Sequence, residues 1–282
     1  MNSRFHVSDS VKSISFILVY FLVCIALPNN VVTAEPIAII GAFDTELELV
    51  RSRITEPDTH RILGIEFCRG TLNETSIVFA EVGVAKVNAA MTTILLIEHF
   101  RPSAIIFTGI AGAVGDSILP GDIVIGRQTA HHDLVSISDE EIRNFGVVNP
   151  VNGIRNPVLF PASEQLLESA WRAAGEIELE SMTTTVGDRT PRVVEGIIAT
   201  GDAFVASAEL KADIRSRLDA VAVEMEGAAV AQVCYQHGIP CIVIRSISDN
   251  ADANAGVDFE RFYRIAARNS AQLVMSMIKH IQ

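Results

Sequence analysis

The chain has 282 residues, of which 49% are hydrophobic and 20% charged, and its formal net charge is -12. That apolar content suffices for one large core, while the negative balance excludes a surface built to grip a nucleic-acid backbone, whose phosphates it would repel. A small, roughly neutral ligand suits the charge better, and no fixed-period repeat or low-complexity stretch points to a solenoid or a linker.

Residues 1–34 differ from the rest. Arg4 and Lys12 lie in a polar start, an apolar run fills residues 14–27, Pro28 breaks it, and Val32, Thr33 and Ala34 supply a cleavage pattern before Glu35. The run is shorter than the ~18 residues of a membrane-spanning helix. The expectation is an export signal over residues 1–34 and one folded domain over residues 35–282, periplasmic or secreted, with no stable membrane insertion after cleavage. An uncleaved anchor is the alternative. Lipid attachment at Cys24 is disfavoured because Val23, not a small residue, precedes it. Cleavage leaves Cys68, Cys234 and Cys241, an odd number that suggests buried structural thiols rather than a disulfide framework. Asn73, in the triplet NET, is a glycosylation acceptor only where the source modifies exported chains.

In chain order, residues 36–41 (PIAIIG) form a continuous apolar run ending at glycine, as a fully buried strand does. Asp44 is expected to cap the following helix, with Leu47, Leu49, Val50 and Ile54 on its inner side. A second strand is expected over 77–84 and a helix over 87–100, stopped by Pro102. A third strand over 104–108 runs into the glycine-rich stretch 109–115 (GIAGAVG), and a fourth covers 122–126. Residues 131–161 are polar and turn-rich and read as a long loop.

A helix over 163–174 precedes a strand over 193–200 that enters GDAF at 201–204. A strand over 220–223 meets Glu224, Met225 and Glu226, and a helix over 227–236 is closed by Gly238 and Pro240. The last strand, 241–245, feeds SISD at 246–249, and the final helix starts near Asp258. This alternation predicts an α/β layer architecture with a substantially parallel sheet. Ligands of such sheets sit outside the carboxyl ends of the strands, where every glycine- or acid-bearing segment above falls.

Glu46, Glu226 and Asp249 come from separate strand ends yet can meet at one rim. Glu46 lies in the first helical turn after strand one. Glu226 immediately precedes a helix whose dipole favours its charge. Asp249 follows an apolar strand whose shielding favours a held proton. Glycosidic cleavage needs carboxylates in unlike environments, one to activate water and one to protonate the leaving group. The same acids equally fit helix caps or partners of Arg245. His131, His132 and Asp133 are adjacent but lack a second cluster of zinc-like spacing, so hydrogen-bonded loop histidines are expected rather than a metal site. Residues 109–115 lack the Lys-Ser/Thr of a P-loop and the acidic partner of a dinucleotide fingerprint. Ser246 and Ser248 lack the elbow of a serine hydrolase.

GAFDTE (41–46), TGIAG (108–112), GDAF (201–204), VEMEG (223–227) and RSISD (245–249) resemble, in order, the motifs of methylthioadenosine/S-adenosylhomocysteine nucleosidases, within the wider purine nucleoside phosphorylase-like superfamily. The likeness spans about residues 37–278. It implies a single-domain three-layer α/β/α fold with a central twisted mixed sheet. It also implies hydrolysis of the N-glycosidic bond of 5′-substituted adenosines with release of adenine, and no metal or organic cofactor. The partner implied is a small-molecule purine nucleoside, bound by a homodimer in which loop 131–161 of a neighbour helps close the substituent end of the pocket.

Carried over by residue, Glu46 matches the base that activates water. Asp249 matches the acid that protonates N7 of the departing adenine, supported by Ser248 and Arg245. Glu226 matches the carboxylate on the ribose hydroxyls, beside Met225 under the sugar. Phe204 is expected to stack on the purine, with backbone near Val205 reading its edge, while Phe43, Val84, Ala111 and Gly112 line the sugar and its anomeric face. Phosphorylases of this fold hold phosphate with arginines and a serine. Here Phe107 stands where one arginine is expected and Ile110 where the serine is, and Glu46 repels a dianion, so water is the expected nucleophile. Ile110 also replaces a serine common in the nucleosidases, removing a polar contact to the sugar. The alternatives are another purine nucleosidase, such as one acting on futalosine-like compounds, a phosphorylase, or a non-catalytic exported storage or binding protein. Retention of all three acids argues against the last.

Overall fold

The computed structural model describes residues 35–184 and 187–281; the expected export signal over residues 1–34 lies outside the described residues. The first half of the chain forms β1 (Ile37–Gly41), α1 (Asp44–Arg51), β2 (Thr55–Ile62), β3 (Ile65–Leu72), β4 (Thr75–Glu81), α2 (Lys86–Phe100), β5 (Ala104–Phe107) and β6 (Ile110–Ala113). It continues with β7 (Ile123–His131), β8 (Val135–Ile137), β9 (Ile142–Asn144), β10 (Leu159–Pro161) and α3 (Glu164–Ala174). The remainder forms β11 (Met182–Thr184), β12 (Gly187–Arg189), β13 (Val193–Thr200), α4 (Ala208–Leu218), β14 (Ala220–Glu224), α5 (Gly227–His237), β15 (Cys241–Asp249) and α6 (Ala255–Met277).

Eleven strands join one sheet in the order β10-β7-β13-β14-β6-β15-β5-β1-β4-β3-β2, and β7 also pairs with β15. That extra pairing closes β7, β13, β14, β6 and β15 into a ring. Two parallel blocks, β4-β1-β5-β15-β6 and β7-β13-β14, meet through antiparallel contacts of β14 with β6 and β15 with β7. The sheet is therefore mixed rather than substantially parallel.

Side-chain alternation divides the core. Along β1, Ala38 and Ile40 join a cluster with Leu96 of α2 and Val230 of α5, while Ile37 and Ile39 join one with Leu47 of α1, Leu166 of α3 and Val274 of α6. Successive residues of a strand point to opposite faces, so one buried apolar strand serves two helical layers. The three-layer α/β/α expectation holds on this account. A third cluster packs Ile214 and Leu218 of α4 on Ile197, Ala199 and Val223.

Several local expectations change. Asp44 is exposed and begins α1, so Phe43 occupies the cap position. β2, β3 and β4 form two successive hairpins whose two-residue turns, Leu63-Gly64 and Asn73-Glu74, have positive φ at all four residues, as tight primed turns require. Asn73 thus sits exposed at a turn. The glycine-rich stretch after β5 contains β6, and the loop 131–161 carries β8, β9 and β10. Gly238 closes α5 in the left-handed conformation (φ 69°), as expected from its position. Among the described residues no helix is long and apolar enough to cross a membrane.

Ile106, fully buried in the middle of the sheet, tests this core. Ile106→Ala is expected to lower unfolding free energy by about 2–5 kcal/mol in urea titration; a loss below about 1 kcal/mol would mean that the sheet does not pack there as described.

Candidate active site

A cavity of about 270 Å³ opens where the carboxyl ends of β1, β13, β14 and β15 converge beside β6. Its wall includes Glu46, Glu224, Glu226 and Asp249 but neither Lys nor Arg. Larger hollows beside Phe79 (about 440 Å³) and Trp171 (about 810 Å³) have no buried acid in their walls.

Glu46 turns back from the first turn of α1 over the end of β1. Its carboxylate accepts from the amides of Ala42, Phe43 (3.4 Å) and, across the sheet, Ile110 (3.0 Å). Gly109 permits this approach, since a Cβ there would lie 2.5 Å from Glu46 Oε1. Burial drives the Glu46 pKa up to about 7, against the pull of Arg245 and the three amides.

Asp249 ends β15 beside a register irregularity. Ile247 pairs with Ala111 and Asp249 with Gly112, leaving Ser248 as the extra residue. A bulge re-aims side chains that strict alternation would separate. Ser248 and Asp249 both reach the cavity, and Ser248 Oγ donates to Asp249 Oδ2 at 2.8 Å. The Ala251 amide donates to Oδ1 at 2.8 Å. Burial raises the Asp249 pKa, with the Ser248 and Ala251 hydrogen bonds opposing and Asp258 and Asp252 adding to the rise. A Cβ at Gly112 would stand 2.8 Å from Asp249 Oδ1, so glycine leaves room for the carboxyl there.

Glu226 caps α5 by position, yet its side chain makes no cap bond and instead accepts from the Ala85 amide at 2.8 Å. The helix end is taken by Glu224, which accepts from the amides of Gly227 (2.7 Å) and Glu226 (3.1 Å), from Thr200 Oγ1, and from Arg245 Nη2 (2.6 Å). The dipole-facing acid is therefore Glu224, contrary to expectation. Left outside that arrangement, Glu226 has its pKa pushed up to about 8, first by burial and next by the charge of Glu224.

Of the residues expected at the site, Phe43, Glu46, Val84, Ala111, Gly112, Phe204, Met225, Glu226, Ser248 and Asp249 all line the cavity. Two do not. Val205 is buried in the cluster beneath α4, and Arg245 lies under the floor, bound to Glu224 rather than to Asp249. Sequence reasoning missed Glu224, although the VEMEG motif displays it, and Phe259, whose ring meets Phe204 edge-on at 6.0 Å. Phe107 faces away from the cavity wall, its ring 4.0 Å beneath the Arg245 guanidinium. His131, His132 and Asp133 diverge: His131 Nε2 meets Gln232 (3.0 Å), the His132 ring abuts Gly201, and Asp133 binds Lys86.

A sequence model of the phosphorylase superfamily matches residues 36–279. Over 244 residues the chain is 40% identical to the 5′-methylthioadenosine/S-adenosylhomocysteine nucleosidase of Geobacillus kaustophilus, covering 86% of this chain and 95% of that protein. The chain belongs to the methylthioadenosine/S-adenosylhomocysteine nucleosidase family. The Neisseria meningitidis member, solved with methylthio-immucillin-A, superposes with a TM-score of 0.76 at 36% identity, over 87% of this chain and 99% of that one. The futalosine hydrolase of Helicobacter pylori superposes with a TM-score of 0.74 at 31% identity, over 87% and 97%.

The nucleosidase-family pocket thus presents three carboxyl groups whose pKa values are all raised by burial, Glu46 to about 7 and Glu226 to about 8. Those two titrate near neutrality, where a group can either donate or take a proton. Because Glu46 and Glu226 bind protons more tightly when folded, their contribution to stability is complete below about pH 4.5 and is lost as pH rises towards about 7 and 8. Glu226→Gln keeps the acceptor for Ala85 and removes that titration. The fall in Tm between pH 5 and 8 should be shallower in this variant than in wild type; an unchanged slope would mean that Glu226 is ionised throughout.

Proposed function

We propose that the protein hydrolyses the N-glycosidic bond of 5′-substituted adenosines, methylthioadenosine and S-adenosylhomocysteine, and releases adenine. The observation carrying this reading is the pairing of two differently held acids across one segment: Glu46 against Gly109 and Asp249 against Gly112. Asp249, with Ser248 beside it, gives its proton to N7 of the purine, so that the base leaves without a negative charge. Glu46 receives a proton from the attacking water, oriented by the same carboxylate. Glu226 accepts from the ribose hydroxyls, Met225 lies under the sugar, and Phe204 stacks on the base. Well-placed acid and base groups each contribute about 10²–10⁴ in rate. A wall without cations, with Arg245 bound to Glu224, favours water over phosphate as the nucleophile.

Adenine release from methylthioadenosine, with and without phosphate, tests the assignment. Release is expected to be independent of phosphate and to drop by about 10²-fold or more in Asp249→Asn. The wild-type kcat/KM should rise with pH through about 7 as Glu46 ionises. Faster turnover of futalosine would shift the substrate, and no release from any purine nucleoside would favour a binding or storage role.

Residues 1–34 are proposed as a cleaved export signal, on their charged start, apolar run and small-residue end, leaving a periplasmic or secreted nucleosidase domain over 35–282. A homodimer is proposed on the exposed apolar side chains of Val87 and Met91 in α2 and of Ile137, Ile142 and Val148 in the 131–161 segment. The exported protein should begin at Glu35 by N-terminal sequencing and sediment at twice the chain mass. A retained Met1 or a monomer would remove the respective assignment.

A further inference from the structure

Three segments of the pocket rim come from separate strand ends: residues 83–86 after β4, 131–133 at the end of β7, and 201–204 after β13. They meet at Lys86. Its ammonium lies 2.7 Å from both oxygens of Asp133 and 3.6 Å from Asp202 Oδ2. Its backbone amide donates to Asp202 Oδ1 at 2.9 Å, and the Asp202 amide donates to Asp133 Oδ2 at 2.9 Å. An isolated surface ion pair holds little. Here the carboxylates also receive main-chain amides, so each ion pair fixes backbone as well as side chains.

What this cluster fixes is the pocket itself. Ala85, one residue before Lys86, has φ 76°, a conformation that a residue with a Cβ keeps only when its surroundings impose it. In that conformation its amide points to Glu226 Oε1. Two residues after Asp202 comes Phe204, on the cavity wall. We propose that Lys86 is a positioning residue for the nucleoside, clamping together the Ala85 amide that orients Glu226 and the loop that carries Phe204. The proposal rests on the nucleosidase reading and assigns a determinant of substrate binding outside the cavity wall.

The test is steady-state kinetics on methylthioadenosine with K86M, K86R and D133N, each checked by thermal unfolding. In K86M, KM is expected to rise about tenfold or more while kcat falls less than about threefold, since the clamp orients groups used in binding. K86R keeps the charge and should bring KM back to within about threefold of wild type. D133N, which removes the charge without changing shape, moves in the same direction as K86M and carries the test if K86M does not fold. A KM within twofold of wild type in K86M and D133N, or no recovery in K86R, overturns the clamp. Amide exchange in segments 84–86 and 201–205 reads the same assignment without turnover. Faster exchange in K86M supports the clamp and unchanged exchange overturns it. A wild type that releases no adenine defeats the nucleosidase reading instead.

Discussion

The site depends on one buried ion pair. Arg245 and Glu224 are almost wholly removed from water, 2.6 Å apart, with the guanidinium lying over Phe107 and Nη1 against the carbonyls of Phe107 and Ile244. Taking both charges out of water is expensive, and further contacts at both partners offset that cost. Both terminal nitrogens of Arg245 are engaged, while its buried Nε has no hydrogen-bond partner among the described residues. Glu224 accepts the amides at the start of α5 and the hydroxyl of Thr200, so β13, β14, β15 and α5 are tied at a single carboxylate. The pair also bears on the electrostatics of its neighbours. Burial is the first cause of the raised pKa values of Glu46 and Glu226, Arg245 opposes it at both, and the charge of Glu224 adds to it at Glu226.

Around this pair, the backbone departs from regularity where the cavity needs it. Ser248 is an extra residue in β15, Ala85 sits at positive φ, and Gly109 and Gly112 give up side chains so that carboxyl groups can touch main chain. Strain and irregularity gather at functional rims because the surrounding packing can hold them there. The two-sided core described above supplies that packing: β1, β5 and β15 are buried from end to end.

Much of this was legible in the chain. Apolar runs leading to glycine located β1, β5 and β13, the apolar run 241–245 located β15, and acids at strand ends located the cavity. What escaped had a weak apolar period. α4 buries only Ile214 and Leu218 of its length, and β2 is an exposed edge containing Pro57. The glycine-rich stretch read as a turn because its strand, β6, is recognisable only by what it pairs with, β14 and β15. Adjacent acids were the harder problem. Glu224 and Glu226 both precede α5, and only the fold reveals which one the helix end takes and which is left facing the nucleoside. Arg245 likewise belongs to Glu224 through pairing across strands that no spacing along the chain discloses.

The cation-free cavity wall also bears on direction. A phosphorylase runs close to balance, because the sugar phosphate it makes keeps much of the bond energy and can be joined to a base again. An enzyme of the proposed type that admits only water spends that energy, and its solvent is always in excess. Its pocket then works as a one-way valve, draining nucleoside to free base and sugar with no return through the same site.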